Sequence, residues 1–322
     1  MIPGSSLTCG KVSRACAKAA ATIAIMAIAT TLACKRQEEK TPLPAKTPEA
    51  ELWLGGDVNL GDGGKGQLQA ISGMVQGAPG IVNLEGPVAL GSPSAKFRLW
   101  NAPRALSELS AINVRVAGIA NNHADDFGPH GPQQSVKTLI EKNILPTGGV
   151  AGPALLKING TLIAITAHDL TRGVPPNLAA ELAEARQRAD VLIATFHVTG
   201  PVSYLPRPEL RRAVDIAYQA GAKIIAAHGT HAVGPLERRG DAVIAWGLGN
   251  IAFACDCTSE EDAILLRVRL QKDKVVGVDV LPLHAGVNKQ AAQPSNDANG
   301  VFDLLEAIGT NKLTRRGSYA SF

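Results

Sequence analysis

DVLIATFHVTGPVSYLPRPELRRAVDIAYQAGAKIIAAHGTH, residues Asp190 to His231, contains two apolar runs that each end on a histidine, with a helix-like segment between them. In DVLIATFH and AKIIAAH the apolar residues are nearly continuous, as in strands buried on both faces. Between the runs, Pro208 suits a first helical turn, Leu210, Val214 and Ala217 recur at helical spacing, and Gly221 supplies a stop. The same alternation continues outward. ELWLGGDV, GIVNLE, VRVAGIA and TLIAITA come before this stretch, and DAVIAWG, AILLRVRL and KVVGVDVLPL come after it, all strand-like. A second helix is expected from Pro132 to Lys142, with Val136, Leu139 and Ile140 as its buried stripe. Such alternation, without an internal repeat, argues an α/β fold. Residues 51–288 read as one domain, and residues 289–322 as a polar C-terminal loop followed by a short closing helix, VFDLLEAIG.

With 322 residues, of which 45% are hydrophobic, the chain buries a substantial core. Its formal charge is +4, but Lys11, Arg14 and Lys18 lie in an N-terminal stretch with no acid. Removing those three from 32 leaves 29 basic against 28 acidic side chains in residues 34–322. That balance, with only 4% aromatic residues, gives no warrant for a nucleic-acid partner, which needs clustered cations and stacking surfaces.

Residues 1–33 have the order of a secretion signal: a polar start with three cations, an apolar run, then a cysteine. The apolar run from Ala19 to Ala33 has 15 residues, whereas an α-helix needs roughly 20 to cross the bilayer, which disfavours a permanent anchor. The sequence TLAC is similar to a bacterial lipoprotein signal, so Cys34 is the candidate lipidated residue, tying the exported chain to the membrane or envelope. Cleavage by an ordinary signal peptidase, leaving a soluble secreted protein, is the alternative. Residues 34–50, rich in charge and proline, read as a disordered tether. Of the five cysteines, Cys255 and Cys257 then remain; two thiols fall short of a metal ligand set and are expected as packed or weakly redox-active residues.

Polar residues gather at the ends of the apolar runs: Asp57, Glu85, the trio Asn121, Asn122 and His123, then His197, His228, His231 and Asn250. In α/β sheets, ligands bind outside the carboxyl ends of the strands, so separate strands can deliver these groups to one crevice. Imidazole, carboxylate and amide oxygen together suit a divalent ion such as Mn, Fe or Zn.

Six segments then carry a resemblance: GGDVNLG (55–61), VNLEGPV (82–88), ANNHADDFGPHG (120–131), the lone His197, AGAKIIAAHGTHAVGPLE (220–237) and WGLGNIAF (246–253). In this order they resemble CapA-type proteins, the poly-γ-glutamate capsule synthesis family, whose fold is similar to that of calcineurin-like metallophosphoesterases. The resemblance implies a single-domain four-layer αββα sandwich with a metal site at the strand ends. It implies Asp57, Glu85, Asn122, His197, His228 and His231 as ligands of one or two divalent ions, His123 as general acid with Asp126 orienting its ring, and Asn59, Asn83 and Asn250 as positioning groups. Three features depart from the pattern. Asn59 stands where phosphoesterases carry the imidazole of Asp-x-His, Glu85 stands in place of a bridging Asp, and no acid follows His197 before Glu209.

Two functions follow from the resemblance. One is metal-dependent hydrolysis or transfer acting on an anionic cell-surface polymer such as poly-γ-glutamate, or on a phosphoester. The other is a non-catalytic polymer-binding or assembly scaffold, working with capsule synthesis subunits. Arg207, Arg211, Arg212, Arg238 and Arg239 are candidate polymer contacts or simply solvated cations. His130 and His284 are expected on the surface, and His168 at the rim of the site.

Overall fold

In chain order the elements are β1 (Ala50–Asn59), α1 (Ser72–Val75), β2 (Gly80–Leu84), α2 (Leu106–Ala111), β3 (Val114–Gly118), α3 (Gly131–Glu141), β4 (Leu145–Thr147), β5 (Ala154–Ile158) and β6 (Thr161–Asp169). They continue with α4 (Leu178–Gln187), β7 (Val191–His197), α5 (Pro208–Gln219), β8 (Ile224–His228), β9 (Leu236–Arg239), β10 (Ala242–Ala245), β11 (Asn250–Phe253), β12 (Asp262–Gln271) and β13 (Lys274–His284). The last are β14 (Gly286–Val287), β15 (Gln293–Pro294), α6 (Ala298–Ile308), β16 (Thr314–Arg316) and β17 (Tyr319–Ser321). This computed structural model describes residues 49–64, 66–91, 98–255 and 260–322. The expected signal segment, Cys34, the tether up to residue 48 and Cys257 lie outside the described residues.

Two sheets form. The larger runs β16-β17-β13-β12-β1-β2-β3-β4, with β11 beside β1, β14 beside β11 and β15 beside β13; the smaller runs β5-β6-β7-β8-β10-β9. Within them β1 to β4 and β11 are mutually parallel, as are β6, β7, β8 and β10. Their carboxyl ends therefore line up.

Because side chains alternate across a strand, each buried strand feeds two cores. Leu52 and Leu54 of β1 join Val191 and Ile193 of β7 and Ile224 of β8 between the sheets. Trp53 and Val58 turn the other way, under Leu106, Leu109 and Leu139 of α2 and α3. Leu192, Phe196 and Ile225 meet Leu182, Leu210 and Val214 of α4 and α5. The result is four layers, helices outside and two sheets inside. Truncating a side chain of the central layer such as Ile193→Ala leaves a cavity worth about 2–5 kcal/mol.

Helix α5 begins at Pro208 and buries Leu210, Val214 and Ala217, and Gly221 follows it with φ +87°. Helix α3 departs from its expected stripe. Leu139 is buried but Ile140 is 57% exposed, and Ser135 and Thr138 face inward instead. The reason is polar: Ser135 Oγ accepts the Val88 N–H at 2.8 Å and donates to Gly131 O at 2.9 Å, which fixes the rotation of the helix. Beyond Asn288 the chain carries more order than a loop and a helix. β15 and β17 pair with β13, and α6 sets Val301, Phe302 and Leu305 against the core between the sheets, its first turn capped by Asp297 accepting from Gly300 N–H at 2.9 Å. Cys255 packs, partly buried, against Leu99, Phe253, Ala285 and Val287 as expected, but it is disulfide-bonded rather than a free thiol.

Candidate metal centre

Strand pairing alone places Asp57 beside Asn83 and Asn250 in the larger sheet, and His197 beside His228 in the smaller. The register of β1 shifts on both sides of Asp57, the local irregularity by which a strand re-aims a side chain. The glycine before it is obligatory, because a Cβ on Gly56 would lie 1.8 Å from Gly249 O. Across the seam, Gly229 N–H donates to Asp57 Oδ2 at 2.8 Å. Gly229 has φ +75°, and a Cβ there would lie 1.9 Å from Val198 O, so only glycine turns this N–H toward the carboxylate.

The buried groups are linked in a chain. Asn83 Nδ2 donates to Asp57 Oδ1 at 2.8 Å and reaches His197 Nδ1 at 3.3 Å. Asn121 Nδ2 donates to Asn83 Oδ1 at 3.3 Å and to Leu84 O at 3.0 Å. With Nδ1 of His197 taken as acceptor, its Nε2–H donates to Asn122 Oδ1 at 2.7 Å. Around this chain, Glu85 Oε1 lies 4.0 Å from His197 Nε2 and 3.9 Å from His123 Nε2. His228 Nδ1 and His231 Nδ1 flank Asp57 at 3.7 and 3.6 Å, and His231 Nδ1 donates to Asn250 Oδ1 at 3.0 Å. His123 Nδ1 meets Asp126 Oδ2 at 2.8 Å, while Asp126 is itself held by Leu99 N–H at 2.6 Å and, through its carbonyl, by Arg98 at 2.5 Å.

The structure thus brings together Asp57, Glu85, Asn122, His123, Asp126, His197, His228 and His231, with Asn83 and Asn250 between them. Asn59 points elsewhere. Its amide donates to Glu85 O and Trp100 O, each at 3.0 Å, so it clasps the backbone that carries Glu85 rather than facing the centre. Asn101, unremarked in the sequence, does the same from the other side: Nδ2 donates to Glu85 O at 2.9 Å and Gly86 O at 3.1 Å, and Oδ1 accepts from Leu60 N–H at 2.8 Å. It sits between two irregular stretches with no strand end to mark it. Four of the five candidate arginines are spent on the fold: Arg239 pairs with Asp215 and Glu237, Arg238 donates to Phe322 O, Arg211 lies over Trp246, and Arg207 donates to Pro201 O.

Electrostatics decide what the arrangement is for. Asp57 and Glu85 are both 1% exposed. Burial, with the charges of Asp57 and Asp126 added, pushes the Glu85 carboxyl well above the usual carboxylate range. His197 and His228 do not compensate. Burial drives the His197 ring down to about 3, the charge of Asp57 countering it only in part, and burial lowers His228 as well. The centre is short of positive charge, and two of its buried atoms, Glu85 Oε2 and His228 Nδ1, have no hydrogen-bond partner. One donor atom each from Asp57, Glu85 and His197 lie within 4.8 Å of one another. A divalent ion suits this oxygen and nitrogen set, supplies the missing charge and uses the orphaned atoms. The residues present fit the group.

Comparisons with known proteins bear on the fold and the family. The fold is similar to the crystal structure of a hypothetical protein from Thermus thermophilus, with TM-score 0.50 and 12% identity over 73% of this chain and 99% of that one. In sequence the chain is 26% identical over 212 residues to the PGA biosynthesis protein CapA of Bacillus subtilis (strain 168), covering 58% of this chain and 55% of that protein. It is 23% identical over 194 residues to the capsule biosynthesis protein CapA of Bacillus anthracis, covering 52% and 47% respectively. The chain spans about half the length of these curated relatives. Residues 54–255, which contain every group of the centre, match the family model described as bacterial capsule synthesis protein PGA_cap, and the chain belongs to that family.

Proposed function

We propose that this chain is an exported, envelope-tethered member of its family that hydrolyses or transfers bonds of an anionic cell-surface polymer of the poly-γ-glutamate kind, at a divalent-metal centre built on Asp57 and Glu85. The observation that carries the reading is the pair of buried acids, Asp57 and Glu85, beside His197 and His228, whose rings burial holds neutral. Asp57, Glu85, Asn122, His197, His228 and His231 would hold the ion, Mn, Fe or Zn, which when bound polarises an ester or amide oxygen and activates water. The chain's own groups do the rest. Asn83 and Gly229 orient Asp57, and Asn59 and Asn101 hold the backbone of Glu85. His123, its ring fixed by Asp126 and its side chain 22% exposed, is placed to give a proton to a leaving group. Sequence supports the location: the segment before Cys34 for export, Cys34 for lipid attachment, residues 34–50 for a tether.

The test is metal content, by mass spectrometry, of the full chain and of Asp57→Ala and His228→Ala after loading with Mn, Fe or Zn. About one or two ions per chain, lost in both variants while the circular dichroism is unchanged, is the expected result. Full metal content in both variants would overturn the assignment. Turnover of polyglutamate, peptide and phosphoester substrates by the loaded wild type then separates the catalytic reading from a second one, a polymer-binding scaffold working with capsule synthesis subunits. That second reading rests on Asn59, whose engagement with two carbonyls leaves the place of the phosphoesterase imidazole without a ligand.

A further inference from the structure

The turn after β1, residues 98–100, the chain after β11 and the turn after β14 border an open cavity of about 240 Å³. Asn59, which clasps the backbone of Glu85, forms part of its wall. Arg98 and Lys289 are exposed on that wall, and neither has a carboxylate partner among the described residues. Asp62, the one acid among the described residues of the wall, is paired with Arg104 at 3.3 Å. The cavity thus carries uncompensated positive charge.

Both cations are held in place by the backbone. Residues 287–290 form a turn closed by Gln290 N–H donating to Val287 O at 3.0 Å, with Asn288 at φ +53° and Lys289 at φ +65°. Left-handed conformation at both central residues is the type I′ form, in which glycine ordinarily takes the second position. Lys289 is kept there against the preference of an L residue, the kind of local strain found at ligand clamps. Arg98 Nη1 donates to Asp126 O at 2.5 Å, which leaves the other edge of the guanidinium, Nε and Nη2, to donate elsewhere. The next residue, Leu99, donates its N–H to Asp126 Oδ2 at 2.6 Å, and Asp126 in turn fixes the His123 ring at 2.8 Å. One stretch of chain therefore serves both the cavity and the proton donor of the metal centre.

We propose that this cavity binds free carboxylates of the anionic polymer, through the Nε and Nη2 edge of Arg98 and the ammonium of Lys289, and so sets which unit of the polymer meets His123. A guanidinium edge matches a carboxylate by two parallel hydrogen bonds, and the ammonium adds a mobile point charge. The substrate class rests on the function proposed above; binding at the cavity does not require an ion at Asp57.

Calorimetric titration of the metal-free full chain with tri-γ-glutamate, with the same tripeptide carrying carboxamides in place of its carboxylates, and with inorganic phosphate tests this. Saturable binding of tri-γ-glutamate is expected, tighter than phosphate, absent for the carboxamide and weakened by added KCl. It should fall about tenfold or more in Arg98→Gln/Lys289→Gln, as for loss of charge-assisted hydrogen bonds. Lys289→Gly, which suits the left-handed turn, should weaken binding severalfold while the denaturation midpoint is kept or raised, separating lost charge from lost fold. Equal binding of the carboxamide, phosphate bound as tightly as the tripeptide, no saturable binding of any probe, or undiminished binding in the double variant or in Lys289→Gly would each overturn the proposal. Metal content of Asp57→Ala is read separately, so a failed metal assignment leaves the titration standing, and a failed titration leaves the metal assignment standing.

Discussion

The two sheets bring opposite chemistry to the same seam. The larger contributes the acids and amides, Asp57, Glu85, Asn83, Asn121, Asn122 and Asn250; the smaller contributes His197, His228, His231 and the N–H of Gly229. On the acid side almost every group is tied by hydrogen bonds within its own sheet, through Asn59, Asn83 and Asn101. On the imidazole side the rings end two parallel strands and the loop after β8 and reach across to the acids. The sheets could neutralise each other by protonating His197 and His228, but burial costs those two rings more than proximity to Asp57 returns, so they stay neutral and bring the acids no positive charge. A crevice assembled this way is suited to a cation from outside.

Breaking the seam itself should have the largest effect. Gly229→Ala puts a Cβ against Val198 O in a left-handed backbone and withdraws the N–H from Asp57. A loss of about 3 kcal/mol or more in guanidinium denaturation is expected, with loss of bound metal. Glu85→Gln, which mimics the protonated acid without disturbing its neighbours, should weaken metal binding by about 100-fold, read by competition with a chelator, while the metal-free chain keeps its stability. Asn101→Ala, which leaves the Glu85 and Gly86 carbonyls short of a donor, should cost about 1–3 kcal/mol and carry a smaller loss of metal affinity.

The pH dependence follows from the imidazole side. His197 and His168 titrate near 3 and 4 in the fold against an ordinary 6.5, so the unfolded chain binds more protons between those values. Stability of the metal-free protein is therefore fully present above about pH 6.5 and falls as the pH drops through that window; Glu85, raised in the fold, acts in the opposite sense. Denaturation midpoints at pH 7 and 5 should differ less in His168→Gln than in wild type. The smallest effect belongs far from the seam: Arg239→Ala, removing half-exposed ion pairs with Asp215 and Glu237, should cost under about 1 kcal/mol in the same assay.

How much of this was legible varies by element. Every strand-like run named from the sequence corresponds to an observed strand; the runs buried on both faces, such as β7 and β8, are apolar nearly throughout, while β12 and β13 alternate toward one exposed face. The edge strands β4, β5 and β9 carry no such mark because their edge position leaves their composition ordinary, and β11, although buried, has only four residues. Helix α5 was legible by its periodicity and its Pro and Gly ends; the rotation of α3 was not, because Ser135 overrode hydrophobicity with two hydrogen bonds. Asn59 and Asn101 make the same point in the site. A polar residue near a strand end announces a buried task, but not whether it faces the ligand or a backbone carbonyl.

The sequence by itself determined the α/β alternation and the placing of carboxylates, amides and imidazoles at strand ends, because apolar continuity and residue type are local properties of the chain. Only the tertiary structure decided that these ends converge, that Gly229 bridges the sheets to Asp57, and that Glu85 Oε2 and His228 Nδ1 are buried without a hydrogen-bond partner. Those outcomes depend on the stacking of two sheets and on which buried atoms are left without partners. Both arise from contacts between residues far apart in the chain, as between Asp57 and Gly229, and no local pattern records them.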